Sequence, residues 1–185
     1  MKRFNSIISR NGFALLLAGA CAQAFAQVAV VLPDTSQTTT LNATITEQAK
    51  VQVPATVAFT VNDISSNTAS AAQSVTITNI ALDSATSQLK ISVQANAASF
   101  TPPVALANTY AAGDVSWNAA TWTNATGVTG TLSNTAYNQV ATCAADSAAC
   151  NTTGLVFTIG LKTTIKRSGL HSMVITWKFE EVSGA

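Results

Sequence analysis

Along Met173–Glu180 apolar and polar side chains alternate without a break. Met173, Ile175, Trp177 and Phe179 fall on one side of an extended backbone, and Val174, Thr176, Lys178 and Glu180 on the other, because successive strand residues point to opposite faces. That is the pattern of a strand with one face in a core and one in water. Leu155–Lys162 repeats it, with Leu155, Phe157, Ile159 and Leu161 inward. Thr163–Gly169 lies between them and holds the polar turn Lys166-Arg167-Ser168-Gly169. The two runs therefore read as an antiparallel hairpin or as adjacent antiparallel strands.

Upstream the same period recurs in short pieces. Leu41, Ala43 and Ile45 share one face of an alternating run. Val51 and Val53 continue as a strand until Pro54, whose missing N–H marks an edge or a bend. Val57–Val61 is a further strand, stopped by Asn62-Asp63. Val75–Thr78 and Leu89–Gln94 are amphipathic strands, and the alternation breaks at Asn79, which fits a bulge or a second short strand. Val115–Trp117 and Thr121–Thr123 read as short strands, Gly127–Leu132 as loop-prone, and Ala136–Val140 as the approach to a loop between two cysteines. No long segment has a helical period, although the Ala-rich stretches 68–72 and 104–112 have room for a turn of helix. Seven or more short strands separated by turn-rich loops predict an all-β fold. We expect an immunoglobulin-like antiparallel β-sandwich, with a jelly roll as the alternative.

The first 26 residues stand outside this pattern. Lys2, Arg3 and Arg10 form a basic start, Phe13–Ala20 an apolar core, and Ala24-Phe25-Ala26 a small-x-small cleavage signal with Gln27 as the new N-terminus. This is the layout of a secretory signal peptide, and its apolar core is far shorter than the roughly 20 residues a membrane span needs. Leu17–Cys21 has the look of a lipoprotein cleavage site, with its leucine one position too far from Cys21. Residues 27–38 are expected to be a flexible segment and 39–185 a single domain, exported to the periplasm, the cell surface or the medium. Three of the nine basic residues lie in the leader, leaving six against eight acidic ones, a net charge of −2. So few charges give no electrostatic footprint for nucleic acid or an anionic membrane.

Cys143 and Cys150 are the cysteines left after cleavage, and in an oxidising compartment such a pair is expected to form a disulfide. His171, the single histidine, is distant in sequence and no second cysteine pair exists, so neither a metal nor a cofactor is expected. His171 has the chemistry of a general base, but no G-x-S-x-G accompanies it. The acids Asp34, Glu47, Asp63, Asp83, Asp114, Asp146, Glu180 and Glu181 are scattered, mainly in turns, which speaks against a carboxylate pair facing one cleft. A non-enzymatic protein is expected. Trp117 and Trp122 are five apart and would face opposite ways on one strand. An exposed ring would suit a stacked glycan or a protein ligand; packed inward, both are core, the reading we take first.

Four motifs, V-x-V-P-A-T-V-x-F-x-V at Val51–Val61, A-x-S-F-T-P-P at Ala97–Pro103, V-S-W at Val115–Trp117 and G-x-H-x-x-x-x-x-W-K at Gly169–Lys178, resemble small secreted bacterial proteins of uncharacterised function. More weakly, Leu41–Ile45 and Gly169-Leu170-His171-Ser172 resemble colonisation-factor-type fimbrial subunits. That resemblance implies a polymerising subunit handled by a chaperone and usher. The chain's own pattern allows the same: Val28 and Val30, or Leu41, Ala43 and Ile45, have the alternation of a donor strand that adds to a neighbour's sheet edge. The alternative expectation is an adhesin or a carbohydrate- or protein-binding module.

Overall fold

The computed structural model describes residues 31–33 and 38–183. The expected leader, residues 1–26 with Cys21, and Val28 and Val30 lie outside the described residues. The chain divides into two units, Met1–Asn42 and Ala43–Ala185. In the first, the described residues form no strand, and Val31, Leu32 and Leu41 are exposed.

The second unit holds eleven strands among its described residues. In chain order they are β1 (Gln48–Gln52), β2 (Thr68–Ala69), β3 (Gln73–Ala81), β4 (Gln88–Ala95), β5 (Val115–Trp117), β6 (Ala125–Gly127), β7 (Gly130–Thr131), β8 (Asn138–Cys143), β9 (Ala149–Leu155), β10 (Phe157–Ile159) and β11 (Ile175–Val182). They build three antiparallel sheets, ordered β1-β3-β9, β2-β10-β5-β7 and β11-β4-β8-β6. One 3₁₀ turn, Ala112–Asp114, precedes β5. The fold is an all-β sandwich.

Alternation explains which side of each strand is covered. On β3, Val75 and Ile77 are fully buried, and on β4 so are Ile91 and Val93 with Leu89 and Ala95 close behind. Leu155, Phe157 and Ile159 enter the same core from β9 and β10. Each fully buried branched side chain stabilises by about 1.5–3 kcal/mol relative to exposure. The break expected at Asn79 is a bulge inside one continuous strand. Gln48 pairs with Ala81 but Lys50 with Thr78, so β3 carries one extra residue there, and Asn79 takes it up at φ +53°. Asn tolerates that left-handed backbone better than most residues.

The expected hairpin between 155–162 and 173–180 does not form. β10 pairs with β2 and β5, whereas β11 pairs with β4 in another sheet. Alternation reports which face of a strand is buried and not which strand lies beside it, and the long connection from Gly160 to Val174 crosses between sheets. Three smaller expectations also change. Thr121–Thr123 contributes only a bridge from Thr123 to Asn151. The stretch 127–132 contains the end of β6 and all of β7. Val57–Val61 joins no sheet, although its alternation survives: Val57, Phe59 and Val61 pack half-buried against the core while Ala58 and Thr60 are exposed.

Candidate functional site

Cys143 and Cys150 form a disulfide with Cα atoms 5.8 Å apart. Both are buried, and because β8 and β9 belong to different sheets, the bond ties two layers together at one end of the sandwich.

Both tryptophans are core. Trp117 is 3% exposed and Trp122 8%, so neither offers a ring face for stacking on a ligand. Trp117 donates its Nε1–H to Val128 O at 3.1 Å and meets Phe157 edge-on at 6.2 Å between centroids. Each indole lies on a glycine. A Cβ on Gly127 would come within 2.8 Å of Trp122 Cδ1, and one on Gly130 would collide with the six-membered ring of Trp117.

His171 is a fastener between two loops. Its Nδ1 pairs with Thr109 Oγ1 at 2.8 Å, its Nε2 lies 3.3 Å from Arg167 O, and its ring stands edge-on to Tyr110. Neither hydrogen-bond partner is a carboxylate, so the base-and-orienting-acid geometry of a hydrolytic triad is not built around it. Asp114 is occupied as well, accepting from Lys162 Nζ at 2.6 Å and from Ala111 N at 2.7 Å.

Three of the scattered acids do converge. One carboxylate oxygen from each of Glu47, Asp83 and Glu181 lies within 4.8 Å of the others, where the start of β1, the β3–β4 turn and the end of β11 meet. The hydrogen bond between Asp83 and Glu181 holds the Glu181 carboxyl above its ordinary range and, with Ser87 also donating, Asp83 below its own. Such oxygens have the chemistry to hold a cation. Sequence spacing could not reveal the trio, because its members are brought together only by strand register. Asp63 is different. The Ser65 hydroxyl, then the Ser66 hydroxyl and the Ser65 N–H, draw its pKa down to about 2.

The most distinctive surface is the free edge of β11. This strand pairs with β4 over eight consecutive residues without a register shift, from Ile175 opposite Ala95 to Val182 opposite Gln88. Residues opposite one another share a face, so Ile175, Trp177 and Phe179 continue the inward row of Ala95, Val93 and Ile91. On β4 that row is sealed; on β11 it is only partly buried. Among the described residues nothing pairs with the other side of β11. The remaining edge strands are managed differently. β2, β6 and β7 are two or three residues long, β1 faces the bulge, and the outer side of β9 is bridged by Thr123. Natural sheets blunt exposed edges by shortness, bulges, proline, edge lysine or inward charge; β11 is long, unbulged and free of proline, its Lys178 pairs with Glu180 on the outer face, and its one inward charge, Glu181 opposite Leu89, stands at the far end of the row. Glu180 also accepts from Lys90 at 2.8 Å.

Leu41, Ala43 and Ile45, one of the two candidate donor rows, belong to no sheet and are exposed. Among the described residues no helix is long and apolar enough to cross a membrane. Comparison with protein-family models, with characterised proteins and with solved structures finds no match for this chain.

Proposed function

We propose that this chain is an exported, non-enzymatic subunit of a surface fibre, joined to its neighbours by strand addition at β11. The observation that carries the reading is the long, unbulged edge of β11, with an apolar row, Ile175, Trp177 and Phe179, that the described residues leave half-covered. An added strand would satisfy the free backbone groups of β11 and cover Ile175, Trp177 and Phe179, the two terms that drive β-augmentation. Val57, Phe59 and Val61 form a second half-covered row against the same core, again without a strand partner. The donor is an alternating N-terminal row of another copy: Val28 and Val30, or Leu41, Ala43 and Ile45. We take the sandwich as immunoglobulin-like, because β11 extends the sheet of β4 and β8 while β1, β3 and β9 form a separate one. A chaperone that protects the β11 edge before assembly, and an usher at the cell surface, are the partners this reading implies.

The test is deletion of residues 27–45 from the mature chain. Sedimentation of the intact chain should show concentration-dependent polymers and the truncated chain a monomer. The same assembly state in both would defeat the reading.

A further inference from the structure

The strands of the second unit run between two unlike poles. β1 starts opposite the end of β3, and β11 ends opposite the start of β4, so Glu47, Asp83 and Glu181 gather at one pole. Asp83 of this trio also lines, with Asp146, a cleft to which Ile80, Leu82 and Ala85 contribute. At the other pole the 101–109 loop is stitched to the segment before β11 by mutual Thr101–Ser172 backbone bonds, by Asn108 Nδ2 on Thr164 O at 3.0 Å, and by Thr109 on His171. This pole presents Val104, Leu106 and Leu170 to solvent. Leu106 is fully exposed and yet held at φ +62°, a left-handed backbone that is unfavourable for a residue with a Cβ. Lys166 and Arg167 lie on the same connection as Leu170, Lys166 Nζ donating to Thr163 O at 3.2 Å, and among the described residues neither meets a carboxylate. Asp63, whose neighbour Ile64 accepts from Lys162 N, is turned to its own serines.

We propose that consecutive copies of this chain dock pole to pole, the Val104–Leu106–Leu170 tip with Lys166 and Arg167 of one copy seating on the carboxylate cleft of the next. The inference deepens the strand-addition reading and rests on it for its direction. Every sheet here is antiparallel, and a strand added antiparallel to β11 ends beside Ile175, at the basic pole. If that strand is Leu41–Ile45, the donor copy reaches its own β1 within three residues, about 10 Å of chain. Its carboxylate pole is thereby delivered onto the basic tip. Addition in the parallel sense would instead bring two carboxylate poles together, and like charges facing each other across a contact disfavour it. The contact joins two different surfaces, so it can repeat along a fibre.

The experiment is reciprocal charge reversal in the mature chain, read by sedimentation across salt concentrations and by survival of oligomers in detergent. Wild-type association should weaken by roughly tenfold or more as salt rises from about 20 mM to about 500 mM. Glu47→Lys with Glu181→Lys, and separately Lys166→Glu with Arg167→Glu, should each weaken it at low salt, and a mixture of the two variants should restore it. Restored, salt-sensitive association without detergent-resistant species supports the pole contact and counts against strand addition. Detergent-resistant polymers indifferent to both reversals overturn the pole contact and leave strand addition standing. A wild-type chain that stays monomeric at low salt overturns the pole contact as well.

Discussion

Gly127 and Gly130 are where single residues decide the packing of the core, because each leaves room for an indole that a methyl group would fill. Gly130→Ala should destabilise the fold by about 1–3 kcal/mol through overpacking against Trp117. Gly113→Ala, with nothing within 4 Å of the added Cβ, should be close to neutral; equal melting temperatures for the two variants would refute the argument. The inward placement of Trp117 was legible from its V-S-W strand. That of Trp122 was not, since the chain leaves β5 at Asn118, whose side chain bonds Gly154 O and Val156 N, and strand alternation stops applying. The carboxylate trio gives a second residue-scale expectation. Glu181 is held protonated to higher pH than an ordinary glutamate by Asp83. A carboxyl whose folded pKa is raised binds more protons folded than unfolded, so its contribution to stability falls as pH rises from the ordinary glutamate range through the raised value. Asp83, lowered, contributes in the opposite sense, losing stability as pH falls. Glu181→Gln removes the first effect. Its melting temperature should gain on the wild type between pH 4 and pH 7 in low salt; a difference that shrinks over that range would contradict the assignment.

At the scale of elements, strands whose two faces differ sharply were readable, and pairings were not. β3, β4, β5 and β11 fall where alternation put them, because on each the apolar row faces the core and the other row, Ser92 of β4 excepted, is less buried. Partnership depends on how the connections cross the sandwich, and side-chain period carries no record of that, which is why β10 and β11 read as a hairpin and lie in different sheets. The run Val57–Val61 has strand alternation without a strand neighbour: a core-facing row fixes the period even where backbone pairing is missing. The free edge of β11 is likewise invisible in its sequence, since a paired and an unpaired strand share one pattern. The cysteines needed no such information, only isolation as a pair. Their bond joins β8 to β9 across two sheets over a separation of seven residues. Replacing both by serine should lower stability by about 2–3 kcal/mol on the chain-entropy account. Denaturant unfolding measures that loss, and an unchanged midpoint would show that the link constrains nothing.

For the whole molecule, the account turns on a sandwich that buries most of its apolar rows but leaves the last strand half-covered, and on an N-terminal segment with the right alternation to cover it. Mean composition says little here, since a nearly neutral chain with 9% charged residues suits a fibre subunit and a monomeric binding module equally. The discriminating property is local: whether the backbone of β11 is open in the isolated chain and closed by the chain's own N-terminal sequence. Amide hydrogen exchange across Ile175–Val182 reads this directly, because exchange reports opening residue by residue. A peptide of residues 27–47 added in excess to the mature chain should slow exchange along β11, leave β3 unchanged and raise the melting temperature, as any ligand specific for the folded state does. Exchange along β11 that is already slow without the peptide, or that does not respond to it, would contradict strand addition at this edge.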